Sequence, residues 1–356
     1  MKIGLIDCDS YHFPNLPLMK LSAYYKAKGN NVEFAKKDGE YEVLFVSKIF
    51  TETKEPELPK AGIIFRGGSG YDLENTLPDQ IEHIYPDYSL YPQFTKDTAY
   101  GFLTRGCPRK NHRFCITPKK DGCISRKAAD LAEFWHGQRK ILLLDQNLLA
   151  CKERMELLGQ LAASGAEVEF NGGMDVRFLN EEIIAVLRKI RVKDYHFAWD
   201  DPRELLEEKF RFFKESGLKT KNQCRVYVLT NYWSSMEEDL YRIYTLREMG
   251  YMPFVMIYDK QKFVDRNGRW LPDAAKRYSK RELQAFKVCQ HMQRWCGQIQ
   301  ILTKCPRFEE YERIEGGLKR ENRYREILGI TIDRCGGNAF EKRELTAVFM
   351  YCYRDI

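Results

Sequence analysis

From Tyr100 to Ile257 the chain alternates short apolar runs with stretches of helical period, and this rhythm restricts the fold more than any other feature. The runs Tyr100–Leu103, Ile141–Leu144, Glu167–Phe170, Tyr195–Ala198, Arg225–Leu229 and Phe254–Ile257 predict six strands. Helices are predicted near Ala128–Trp135 and over Glu153–Ala163, Glu181–Ile190, Glu204–Ser216 and Met236–Met249. A strand–helix–strand repeat returns the chain to the same end each time and so builds parallel sheet. The prediction for residues 96–260 is a partial (β/α)6 TIM-type barrel. Polar residues gather just past the strands: Asp145-Gln-Asn147, Asn171-Gly-Gly-Met-Asp175, Trp199-Asp-Asp201, Thr230-Asn231 and Tyr258-Asp-Lys260. In barrels of this kind the carboxyl ends of the strands form the active face.

The first 95 residues read as a separate, Rossmann-like α/β layer. Strands are predicted at Ile3–Ile6, Val32–Phe34, Val43–Val46 and Ile63–Phe65, with a helix near Leu16–Lys28 that ends at Gly29. Asp72–Pro92, with three prolines, reads as a linker. Residues 261–356 form a mainly helical C-terminal extension. A basic helix is predicted over Ser279–Trp295, then an apolar stretch Ile299–Leu302, a charged helical segment to about Leu328 and a closing strand at Leu345–Tyr353. The fold class is therefore α/β.

Composition sets the compartment and the partners. At 356 residues and 44% hydrophobic content the chain can bury a sizeable core, and no run approaches the 18 apolar residues of a membrane span. It opens directly on a strand-like run with no signal sequence, and its eleven cysteines are odd in number and scattered. Both features predict a cytoplasmic protein with reduced thiols. A net charge of +7 permits a nucleotide-like or nucleic-acid partner without requiring one.

Cys107, Cys115 and Cys123 fall within seventeen residues, on the loop that follows the first barrel strand. Between Arg105 and Lys127 eight Lys or Arg stand against one acid, Asp121. Positive surroundings favour thiolates, and closely spaced thiolates on one loop bind iron–sulfur clusters. A set of Cys107, His112, Cys115 and Cys123 equally suits tetrahedral zinc.

The thiol loop and the strand-end clusters together resemble the radical SAM superfamily, and within it a bacterial and phage branch with a cobalamin-binding-like domain in front. The resemblance covers about Thr98 to Lys260, the first hundred residues less closely and the tail weakly. It implies a [4Fe-4S] cluster held by three cysteines spaced C-x3-C-x2-C, with S-adenosylmethionine on the fourth iron. It also implies an electron donor such as flavodoxin or ferredoxin, and a 5′-deoxyadenosyl radical that abstracts hydrogen from a substrate not legible here. Cys107 matches the first cysteine and Cys115, after Phe114, the third. The middle one is missing, with Asn111 and His112 in its place and the loop one residue longer. The third ligand is then Cys123, His112 or a more distant thiol such as Cys151, or the cluster has been lost.

Position by position, the resemblance places Asp145 and Asn147 at the methionyl ammonium. Asn171, Gly172, Gly173, Asp175 and Arg177 fall at the nucleoside and the methionyl carboxylate. Trp199, Asp200 and Asp201 fall at the ribose or the adenine. In cobalamin-binding domains a D-x-H-x-x-G loop, S-x-L and Gly-Gly follow successive strands. Asp9, His12 with Asn15, Ser47-Lys-Ile49 and Gly67-Gly68 are similar, although the spacing is D-x-x-H. Cobalamin is thus implied without a secure histidine ligand. Tyr227, Tyr232 and Tyr258 sit near the predicted active face. Cys289, Cys296, Cys305 and Cys335 are either packed core thiols or an auxiliary cluster. The alternative to a radical enzyme is a degenerate, non-catalytic member that binds nucleotide or nucleic acid, or a zinc protein.

Overall fold

The computed structural model describes residues 1–311 apart from 12, 110–111, 113, 219–223, 266–267 and 309–310. His12, Asn111, Cys335, the charged segment to Leu328 and the strand Leu345–Tyr353 lie outside the described residues. The chain divides into two compact units, one built on Met1–Gly172 and Asn180–Lys193, the other on Gly173–Leu179 and Asp194 onward.

The first unit opens with a parallel sheet of β1 (Lys2–Asp7), β2 (Asn31–Phe34), β3 (Glu40–Ser47) and β4 (Lys60–Gly67), in the order β2-β1-β3-β4. Burial runs through consecutive residues, Ile3 to Leu5 of β1 and Val43 with Leu44 of β3, because Ile3, Leu5 and Val43 pack in one cluster and Leu44 in another, as in a parallel sheet covered on both faces. The helix Leu16–Ala27 covers this sheet with Leu18, Met19 and Leu21. It starts where it does because the Asn15 side chain accepts the Leu18 N–H at 3.2 Å and Pro17 suits the first turn. Gly29, at φ +77°, closes it.

A second sheet in the same unit contains β5 (Thr98–Gly101), then, beyond a short antiparallel pair β6 (Thr104–Arg105) and β7 (Arg126–Lys127), β8 (Lys140–Leu143), β9 (Glu167–Phe170) and β10 (Arg191–Val192). Its order is β10-β9-β8-β5, all parallel. The helices Arg154–Ser164 and Glu181–Leu187 pack on each other and bury Leu157, Leu158, Leu161, Ile183 and Leu187. The helix predicted near Ala128–Trp135 does not form. Asp130 and Glu133 cap a single 3₁₀ turn, Leu131–Glu133, and Gly137 at φ +95° turns the chain away. Phe134 packs instead against Gly101, where its ring fills the place of a side chain.

The second unit has a three-stranded parallel sheet, β11 (Tyr195–Ala198), β12 (Cys224–Thr230) and β13 (Met252–Ile257), in that order. Helix Glu207–Glu215 turns Phe210 and Phe213 inward, and helix Met236–Glu248 starts at a Ser235–Glu238 capping box. Helix Lys280–Gly297 buries Phe286, Met292 and Trp295 and packs on β13. Cys289 and Cys296 lie on its buried face, and burial pushes the Cys296 thiol up to about 12. The six predicted strands thus all form, divided between two sheets, and the molecule is α/β with parallel sheets. No helix among the described residues is long and apolar enough to cross a membrane.

Candidate functional site

In the first unit the loops at the carboxyl ends of both sheets are tied together by buried polar side chains. The Asp9 carboxylate accepts the N–H groups of Ile49 and Phe50 at 2.8 and 2.9 Å, joining the loops after β1 and β3. The Asn15 amide, besides capping its helix, donates to Ser10 and Ser47 hydroxyls at 3.0 and 2.8 Å. Gly68, at φ +94°, brings the loop after β4 against the Lys48 carbonyl, closer than any side-chain-bearing residue allows. The three segments that resembled cobalamin-binding elements therefore meet at one sheet edge.

On the second sheet Asp145, past β8, holds the turn that follows β5. Its carboxylate accepts from Leu103 N at 3.1 Å, Thr104 N at 2.6 Å and Thr104 Oγ1 at 2.6 Å. Burial pushes Asp145 up to about 6, and those three donors oppose the shift. Gly172, past β9, rests on the Asp145 carbonyl so closely that no Cβ fits. Gly172→Ala is expected to cost about 1–3 kcal/mol in urea unfolding, as overpacking does.

Between these edges lies a cavity of about 270 Å³. Phe13, Leu16, Phe50, Leu77, Phe102 and Leu144 supply its apolar wall, and Ser10, Ser47, Lys20, Arg105, Lys120 and Gln146 its polar points. Lys20 and Arg105 are paired with Glu82 at 3.0 and 3.1 Å. Burial lowers Lys20 and raises Glu82; the two cations outweigh burial at Glu82, which ends below the usual carboxylate range. Lys120 forms no side-chain hydrogen bond or ion pair with any described residue. Lys120 is exposed overall; the protein crowded around its ammonium and the charge of Arg105 hold it below the usual lysine range, with Asp121 opposing.

The predicted metal ligands are placed individually. Cys107 is half-buried and its Sγ accepts from the Asn147 amide at 3.5 Å; Cys115 is buried and its Sγ accepts from Thr117 N at 3.4 Å. Cys123 is exposed, and buried His112 stacks on Phe114 with ring centroids 4.9 Å apart. Cys151 donates to Glu153 at 3.0 Å, and burial pushes it up to about 11. Among the described residues, which include all five, no three His, Cys, Asp or Glu side chains gather as a metal-holding group. The arrangement therefore does not fit a cluster or a four-ligand zinc site.

The residues assigned to S-adenosylmethionine make the following contacts within the protein. Asp145, Asn147, Asn171 and Gly172 belong to the first unit, and Gly173, Asp175, Arg177, Trp199 and Asp200 to the second. Asp145 is engaged by Leu103 and Thr104 rather than open to an ammonium. Arg177 is clamped by Asp175, at 2.8 and 2.6 Å, and by Glu204, at 2.7 Å, which occupies the donors meant for a ligand carboxylate. Trp199 is fully buried, packs on Phe210 and donates to the Glu204 carbonyl at 3.0 Å, so its ring is core and not a stacking surface. Gly173 lies at φ +81° beside the His196 carbonyl. The Asp200 carbonyl accepts from Arg242, and Asp201 is paired with Arg203 at 2.8 Å. The buried Asn171 side-chain nitrogen meets no acceptor among the described residues.

Sequence reasoning missed Lys120, Gln146 and the buried pair Asp239–Arg242. The pair's i, i+3 spacing was the only available signal, and it is shared with many surface helix pairs. Two cations of the basic loop face carboxylates and a third is held by a carbonyl. Arg105 faces Glu82 and Asp121, Arg126 donates to the Asp121 carbonyl at 2.6 Å, and Lys127 faces Asp130 and Glu156. No known family model matches the chain, and no curated protein matches it.

Proposed function

We propose that the chain has a scaffold of the radical SAM type and that its first unit binds a small organic ligand at the carboxyl edge of its sheets. In this reading the first sheet is a Rossmann-like layer and the second begins a partial barrel. The supporting observation is the convergence of loops after β1, β3, β4, β5, β8 and β9 on one cavity with an apolar body and few polar points. Parallel sheets take ligands just outside the carboxyl ends of their strands, where the crossovers leave free loops and backbone groups. The thiol loop leaves β5 at this same edge, where the resemblance places iron.

Two forms of the protein follow: a radical enzyme served by an external electron donor, or a degenerate member that binds a nucleotide-like molecule without a cluster. The described thiols do not gather, and the second form is favoured for that reason. Anaerobic incubation with iron and sulfide separates them. The expected result is a colourless protein with well under one iron per chain. About four irons with a broad visible band would instead establish the enzyme, and Cys123→Ala and His112→Ala would then identify the third ligand. Stoichiometric zinc on elemental analysis would establish the tetrahedral site in place of both.

A further inference from the structure

We propose that Gln146 and Lys120 select the ligand of the cavity, which carries an N–H donor and an anionic group, as a 6-aminopurine nucleoside monophosphate does. This deepens the ligand-binding reading above and rests on it.

Gln146 lines the cavity, and its amide nitrogen donates to Asp121 Oδ2 at 2.9 Å. Asp121 is held in turn by Arg105 at 3.4 Å. An ionised carboxylate accepts only, so this bond decides which end of the amide is which: the NH₂ points at Asp121 and Oε1 points away. Oε1 is shielded from solvent and meets no donor among the described residues. A buried acceptor left without a donor is costly, and a ligand N–H satisfies it. At the same cavity Lys120 ends the short helix Thr117–Lys120 with its ammonium uncommitted, while Lys20 and Arg105 are engaged by Glu82. An anionic group is therefore drawn to Lys120. Phe13, Phe50 and Phe102 line the body of the cavity, and a flat aromatic base packs well on such rings.

Calorimetric titration of the full chain with adenosine 5′-monophosphate, purine riboside 5′-monophosphate and adenosine tests this. The purine riboside nucleotide replaces the exocyclic amine with hydrogen and so has no N–H donor on its base, and adenosine lacks the phosphate. The wild type should bind adenosine 5′-monophosphate about tenfold more tightly than either comparison compound. Gln146→Leu should bind the two nucleotides alike, and Lys120→Ala should bind adenosine and its monophosphate alike. Thermal melts of both variants confirm that they fold, and the wild-type ratios stand without them. Equal binding of the two nucleotides by the wild type, or of adenosine and its monophosphate, overturns the selection proposed here and leaves the cavity as a ligand site. Binding of none of the three by cooperatively melting wild-type protein overturns the ligand-site reading itself.

Discussion

Arg242→Leu is expected to destabilise the second unit by about 3–5 kcal/mol, the largest single effect anticipated in this molecule. Arg242 is fully buried in helix Met236–Glu248. Its guanidinium donates to the carbonyls of Trp199, Asp200 and Leu229 at 2.6, 2.8 and 3.1 Å and to the Asp239 carboxylate at 2.5 Å. One side chain thus ties the chain leaving β11 to the end of β12. Its loss removes a donor from three carbonyls, of which Asp200 keeps the Trp233 indole N–H, and leaves Asp239 buried with the Ser234 hydroxyl as its side-chain donor. Burial already pushes Asp239 up to about 6 with Arg242 opposing; without the cation it rises further. Lysine is a poor substitute, because a single ammonium cannot span the fork. Urea unfolding of Arg242→Leu beside Arg242→Leu/Asp239→Leu checks this. The double variant should recover part of the loss, since it removes the uncompensated charge. A single-variant change below about 1 kcal/mol would contradict the assignment.

Asp145→Ala should cost about 3 kcal/mol, because Leu103 N, Thr104 N and the Thr104 hydroxyl all lose their acceptor inside the protein. The turn that leads into the Cys107 loop loosens with them, and ligand binding at the cavity should fall. Asp145 also carries a pH signature. Its ordinary value is 3.8 and its folded value about 6, so between these pH values the native chain holds a proton that the unfolded chain has released. The stabilisation is complete below 3.8 and is lost as pH rises through about 6. It amounts to at most about 3 kcal/mol from a shift of about two pKa units. Asp145→Asn does not titrate there. The stability advantage of the wild type over this variant should therefore shrink between pH 4.5 and pH 7.5. An advantage that stays constant would mean that the three donors, not burial, govern the carboxyl group.

Most of the architecture was legible because period-2 and period-3.6 patterning follow directly from which face is buried. All six strands from Thr98 to Ile257 form close to where the apolar runs put them, as do the four of the first sheet. What patterning could not show is which strand pairs with which, so the division into two sheets was invisible. The helix near Ala128–Trp135 failed because local capping at Asp130 and Glu133 and the turn at Gly137 outweigh a weak helical period.

The strand-end polar residues were found, but not their partners within the protein. Asp145, Arg177 and Asp201 look like ligand-binding groups in sequence, yet each is engaged by a neighbour that ties a loop. Trp199 falls at the ribose or adenine by resemblance, and in the structure its ring is fully buried. The groups left available, Lys120 and Gln146, carry no motif. Only their neighbours' pairing with one another distinguishes them, and that is a property of three-dimensional arrangement.

A crystal structure of the full chain grown with adenosine 5′-monophosphate tests the ligand site most directly. The prediction is density within the cavity of the first unit, with the phosphate at Lys120 and the base beside Gln146. A cavity that stays empty while the nucleotide sits elsewhere, or a chain that excludes it altogether, would contradict the claim that this sheet edge is where the protein does its work.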